Sequence, residues 1–257
     1  MWLERRRPLR RSFEPGTRRI ARNLAIGAVT AATVAVVERP LVTHLARLVE
    51  ERRLGLLQRL PLPRALKTAL AVVLMDYTLY WWHVLLHRVP ALWRLHEPHH
   101  IDRDLDTSTG VRFHFMEFVA STPWRCAQIV AIGVGPGALS LWQKLTLAEV
   151  LFHHSNVRFA RESERRLAKF IVTPRLHGIH HSLLREERDS NYSSGLSIWD
   201  RIHGTERANL DDDFVIVGLA DYRKPEDVTL AKTLALPFER GDKTNALVAA
   251  RRRYDNA

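Results

Sequence analysis

Long apolar runs set between charged stretches give the chain its outline. The segment from Leu66 to Arg88, LKTALAVVLMDYTLYWWHVLLHR, is the most continuous of them. At about 1.5 Å of rise per residue it reaches roughly 34 Å, enough to cross a hydrocarbon core of about 30 Å. An earlier apolar stretch, Leu24 to Val37, follows the basic, proline-broken run MWLERRRPLRRSFEPGTRR. No small-residue cleavage pattern follows it, which predicts a cytoplasmic arm and a signal-anchor helix. Residues 38–65 set Leu41, Leu45, Leu48 and Val49 in a helical rhythm among basic positions and end in LPLP. That pattern predicts either an amphipathic interfacial segment or a continuation of the first helix. Phe118 to Val134 and Ala138 to Phe152, joined by the breaker GVGPG, predict a membrane hairpin with arms short enough to require tilt or a thinned bilayer. The expected fold is all-α: an integral-membrane helical bundle of about three to four membrane helices.

Beyond His154 the pattern turns charged and soluble in character. With the basic arm inside, residues 89–117 and 155 onward fall on the same cytoplasmic side, in keeping with the positive-inside rule. Three regions follow: a basic arm over 1–23, a membrane-bound histidine-rich domain with a cytosolic helical cap over 24–210, and a C-terminal extension over 211–257. The extension is expected to be partly disordered and to end in the frayed tail AARRRYDNA.

Charge and cysteine content narrow the chemistry. Basic residues outnumber acidic ones by 39 to 28, mostly through arginine, which suits a surface facing the phosphate of lipid headgroups or of nucleic acid. The apolar segments and the lack of a nucleic-acid-binding motif argue against nucleic acid. The arginine excess over lysine points to a GC-rich bacterial genome and hence the inner membrane. A single cysteine, Cys126, excludes an intrachain disulfide and a thiolate-rich zinc site, so any metal is held by other ligands.

The 13 histidines are crowded into a few short strings. His83 and His87 are four residues apart on the strong apolar helix and project from one face. RLHEPHH brings His96, His99 and His100, and RLHGIHH repeats the spacing with His177, His180 and His181. On a helix, offsets of three and four turn these side chains to nearly one side. LFHHSN adds His153 and His154. One metal takes at most about six ligands and a structural zinc four, so eight or nine imidazoles imply two metals. Imidazole suits iron, zinc, copper or nickel, and the ligands alone do not choose among them. Asp76 returns to the helical stripe of His83 and His87 and is a candidate acceptor for an imidazole N–H, with an interhelical hydrogen bond as the alternative. Glu149 is a second intramembrane carboxylate near the face of His153.

Taken in order, DYTLYWWHVLLHRVPALWRLHEPHH, DLDTSTGVRFHFME, LFHHSNV, TPRLHGIHHS and DSNYSSGLSIWDRIHGT resemble the blocks of the fatty acid hydroxylase and sterol desaturase superfamily over about Leu54 to Thr205. The resemblance implies a non-haem di-iron centre at the cytosolic mouth of a helical membrane bundle, oxidising a C–H bond of a lipid with molecular oxygen. Two iron ions are the implied cofactors, with zinc as a substitute. The implied ligands are His83, His87, His96, His99, His100, His177, His180 and His181, with His154 favoured over His153 as the ninth. Asn156 and Asn191 match positions near such a site. His114 and Glu117 sit in RFHFME, where the family more often has proline after the histidine, and His203 replaces an aromatic and is read as packing. No flavin or nicotinamide fingerprint is present, so electrons come from an external cytochrome or ferredoxin type donor. Hydroxylation and desaturation share these ligands. A metal-transport protein would instead need ligands stepping across the bilayer, whereas here they gather at one edge.

Overall fold

The computed structural model describes residues 2–14, 16–208 and 215–239. Among these residues there are helices and three isolated bridges but no β-strand. A short helix α1 (Trp2–Arg6) precedes α2 (Thr17–Thr33), a π-helical turn (Val34–Glu38) and α3 (Arg39–Arg52). Helix α4 (Leu56–Arg59) turns the chain into α5 (Arg64–Arg88), followed by α6 (Pro90–His100), α7 (Phe115–Ile132) and α8 (Pro136–His153). Beyond them lie α9 (Arg161–Leu167), α10 (Pro174–His180), α11 (Arg185–Arg188), α12 (Ile198–Ile202) and α13 (Leu230–Ala235).

Residues 38–65 open with the unbroken continuation of the first helix, not with an interfacial segment. Pro40 has no N–H and its ring crowds the carbonyl four residues back, which ordinarily breaks a helix. Here the π-turn widens the backbone directly ahead of it and the helix runs on to Arg52. Prolines set the other boundaries. Val89, pushed to extended backbone by Pro90, ends α5, and Pro90 then opens α6 at its first turn. Gly133, at φ 88, closes α7 in the left-handed region that favours glycine, and Pro136 opens α8.

The bundle core joins Val42, Ala46 and Val49 of α3 to Met75 of α5, Ile129 of α7 and Leu139 and Trp142 of α8. Two helical runs are long and apolar enough to cross a membrane by length and composition, one within Thr17–Arg59 and the other Arg64–Arg88. The 18-residue helices α7 and α8 pack beside them.

Helix α2 starts well ahead of the apolar stretch because Arg19 and Asn23 find buried partners in the cap. The residues before it are also built into the cap. Asn156 and the Arg10 backbone exchange reciprocal hydrogen bonds of 2.8 and 2.9 Å, and Glu4 accepts from the backbone of Thr107 and of Asn156. Of the C-terminal extension, residues 215–239 close the cap through a cluster of Ile101, Leu219, Tyr222, Val228 and Leu236. Residues 211–214 and 240–257, including the tail expected to fray, lie outside the described residues.

Candidate metal centre

Both H-x-x-H-H strings fall on short helices opened by proline, α6 and α10, set against the C-terminal ends of α5 and α8. Thr173 caps α10 by accepting from Leu176 N, which starts the helix three residues ahead of its histidines. Nine imidazoles converge there in two groups. His83, His87, His96, His100 and His180 form one, and His99, His154, His177 and His181 the other, with ligand atoms within 4.8 Å of one another in each. Each box is therefore shared. Its i, i+4 pair (His96 and His100, or His177 and His181) serves one group, and its middle histidine (His99, or His180) crosses to the other.

Hydrogen bonds on the far side of the rings fix their orientation. Nδ1 of His83 donates to Tyr192 O at 2.7 Å, His180 to Ser190 O at 2.8 Å, His154 to Val150 O at 2.8 Å and His99 to Arg112 O at 3.3 Å. Nδ1 of His96 lies 3.0 Å from the Glu117 carboxylate, which gives that residue a definite role. A neutral imidazole that donates through Nδ1 presents an unprotonated lone pair at Nε2. The Nε2 atoms of His99 and His154 face each other at 3.1 Å, lone pair to lone pair. His154 and His177 are 3.0 Å apart, His177 and His181 3.1 Å, and His96 and His100 3.2 Å, all through Nε2. Nε2 of His83, His87 and His180 is buried with no hydrogen-bond partner. Nitrogens sharing one metal at about 2.1 Å and right angles lie about 3.0 Å apart, so the donor set fits a metal in each group.

Burial, reinforced by neighbouring imidazoles, holds His99, His100, His177, His180 and His181 well below the ordinary imidazole range, and burial pushes His154 down to about 3. The rings are neutral and ligand-competent at neutral pH. In metal-stripped protein the unfolded chain binds protons that the folded cage refuses. The stability these groups contribute is present above pH 6.5 and is lost as pH falls from there towards about 3. The thermal midpoint should drop between pH 7 and pH 5, and an unchanged midpoint would contradict neutral burial.

The remaining sequence candidates sit around the cage. His153 donates to Ser194 O and packs its ring 4.0 Å from that of His177, but belongs to neither group. Asp76 does not reach an imidazole. It accepts from Leu196 N at 3.0 Å and Trp199 Nε1 at 2.7 Å, because seven residues of helix place it about 10 Å below His83. Glu149 meets Asp76 over Gly195, where a Cβ would lie 2.6 Å from an oxygen of each. Asn156 ties down the N-terminal arm. Asn191, at φ 51, donates to Leu176 O and Arg207 O and so clamps the back of α10. His114 caps α7, accepting from Met116 N, and His203 stacks on Tyr80.

Sequence reasoning did not pick out the polar network beneath the cage. Arg19 holds Asp102 in a bidentate pair at 2.9 Å, Asn23 donates to Asp102 at 2.8 Å, and Arg112 donates to Asn23 at 2.8 Å. Burial alone would lift Asp102, but Arg19 and Arg112 outweigh it and hold the carboxyl well below the usual range; burial lowers Arg112 to about 10. The chain of bonds ends at the Arg112 carbonyl that orients His99. A carboxylate two residues past an H-x-x-H-H string was the available signal.

An all-helical bundle with apolar spanning helices and a buried cage of nine imidazoles among its described residues defines a histidine-rich membrane metalloprotein. The fatty acid hydroxylase family matches residues 68–205, more than half of the chain, and the chain belongs to that family. It is 34% identical over 145 residues to the ornithine lipid hydroxylase OlsE of Rhizobium tropici, covering 56% of this chain and 42% of that one. It is 29% identical over 144 residues to the alkylglycerol monooxygenase of Homo sapiens, covering 56% of this chain and 31% of that one. The chain thus spans less than half the length of these relatives. No solved structure matches it.

Proposed function

We propose that the protein hydroxylates a C–H bond of a membrane lipid with molecular oxygen and external electrons, using two iron ions held by the nine histidines at the cytoplasmic side of the bundle. The lone-pair contact between His99 and His154 carries this reading, since two unprotonated nitrogens at 3.1 Å need a cation between them. An alkyl C–H bond offers no acidic or electrophilic handle, so the oxidant would have to come from iron and oxygen, which the side chains alone cannot replace. The overall reaction consumes the C–H bond, O2, two electrons and two protons and yields an alcohol and water. The chain's own residues set the conditions for it. Carbonyls of Tyr192, Ser190, Val150 and Arg112 fix the ring orientations, and Glu117 polarises His96. A cavity of about 570 Å³, walled by Leu86, Phe113, Phe118 and Val150, runs up to His83, His99 and His154 and is wide enough for an alkyl chain. The relatives' names, a lipid hydroxylase and an alkylglycerol monooxygenase, support a lipid substrate.

Protein purified from membranes and reconstituted with iron should contain about two metals per chain, because the two groups offer five and four imidazoles. The same preparation, given reductant and oxygen-18 gas, should place one labelled oxygen in a membrane lipid. Elemental analysis finding one metal or none in fully folded protein, or a product without label, would overturn the proposal.

A further inference from the structure

The cavity that starts at the histidines has a second end. It is lined by both Gly27 and Arg39, twelve residues apart on one continuous helix, and so extends about 18 Å along the bundle. Near the cage its walls are mostly apolar. At the far end they are Glu38, Arg125, Trp142 and Thr146. The first three are buried to within 7% exposure, yet Glu38 Oε2, Arg125 Nε, Trp142 Nε1 and Thr146 Oγ1 have no hydrogen-bond partner. Arg125 lies over the Trp142 ring at 4.3 Å and donates to Gln128, but closes no ion pair with Glu38 among the described residues. Glu38 belongs to the π-turn, whose widened backbone puts Val34, Ala35 and Glu38 on the cavity wall, and such turns recur at functional sites.

Buried donors and acceptors left unpaired in an apolar cavity are costly, and a ligand that pairs them is favoured accordingly. Here two donor N–H groups, a carboxylate acceptor and a hydroxyl that can do either surround one space. The buried Arg125 guanidinium and Glu38 carboxylate balance each other, and Arg39, the other charged residue at that end, is exposed to solvent. A free carboxylate is drawn by Arg125 but repelled by Glu38, and a bare alkyl terminus leaves every polar atom unpaired. We propose that this far end is a binding subsite for a neutral group with both a donor and an acceptor, an alcohol or a secondary amide, carried on the alkyl chain of the substrate. Thr146 and Trp142 precede His154 by eight and twelve residues, about 12 and 18 Å. An extended chain gains about 1.2 Å per bond, so the carbon presented to the cage lies roughly ten to fifteen bonds from that group. This positional consequence rests on the oxygenase reading, whereas the subsite itself does not.

Binding to the purified full-length protein in nonionic detergent tests the subsite without turnover, by competition against radiolabelled tetradecanol. Tetradecanol and N-methyltetradecanamide should bind at least about tenfold more tightly than tetradecane, the value of about one well-made buried hydrogen bond. Arg125→Met should shrink that preference to about threefold or less. Glu38→Gln keeps the shape, leaves the guanidinium unopposed and should raise the affinity for tetradecanoate about tenfold. Thr146→Val, a mild change of similar volume, guards against misfolding of the arginine variant and should weaken tetradecanol and N-methyltetradecanamide but not tetradecane. Equal binding of tetradecanol and tetradecane to the wild type, or a stable Glu38→Gln protein with unaltered tetradecanoate affinity, overturns the subsite. Protein that binds two metals and oxidises lipid yet shows no preference for the alcohol loses only this inference. Protein that shows the preference but binds no metal loses only the oxygenase reading.

Discussion

His99→Ala should reduce lipid oxidation by orders of magnitude and empty one of the two metal positions, while His203→Phe leaves both nearly unchanged. His99 is the one member of α6 whose ligand nitrogen groups with those of His154, His177 and His181. No spare imidazole stands in that group, since His153, whose ring packs on His177, falls outside it. Metal ligation and folding of the cap are linked, so metal content should fall along with activity. His203 stacks on Tyr80 at 5.1 Å and Tyr77 at 5.8 Å, and phenylalanine keeps those contacts. Metal analysis and an oxygen-dependent assay at equal expression decide the matter, and equal activity of the two variants would remove the metal-site assignment.

Arg112→Met should cost about 3–5 kcal/mol of stability, the usual toll of removing one member of a buried charge network. The side chain is fully buried and donates to Pro98 O, Asn23 Oδ1 and Thr233 Oγ1, which joins α6, α2 and α13 beneath the cage. Methionine fills much of the volume but strands those acceptors and leaves Asp102 with Arg19 and, at 3.9 Å, Arg22 as its arginine partners. Because the backbone of the same residue holds Nδ1 of His99, metal affinity should drop about 10–100-fold in whatever protein still folds. Denaturant unfolding together with metal titration measures both effects. A variant with wild-type stability would mean that the network is ornamental.

Much of this was legible in the sequence, and the omissions share a cause. Histidine spacing placed His83 and His87 on one helix and revealed the two matching boxes, since an i, i+4 offset fixes side-chain direction locally. What local periodicity does not carry is height along a helix or the identity of a partner across the bundle. Asp76 shares the azimuth of His83 yet lies about 10 Å away along the axis, and it serves Trp199 instead. The crossing of His99 and His180 between groups follows from how α6 and α10 face each other, a tertiary fact. The buried Arg19–Asp102–Asn23–Arg112 chain unites residues from distant stretches whose polarity reads, residue by residue, as surface. The continuation of the first helix through Pro40 depended on a π-turn that no apolar rhythm announces.

The crossing of the boxes has a temporal consequence. Each metal position draws on histidines from both ends of an interval of about a hundred residues, His83 to His100 early and His177 to His181 late. At a synthesis rate of about 5–20 residues per second, the first imidazoles wait roughly 5–20 s for the last to leave the ribosome. The N-terminal arm waits longer still, since Arg10 finally donates to Pro174 O, 164 positions away, and lies so close to Gly178 that a Cβ there would overlap its guanidinium. Neither group is complete until both boxes have met, so a fully liganded metal could be held only after the last box has been made.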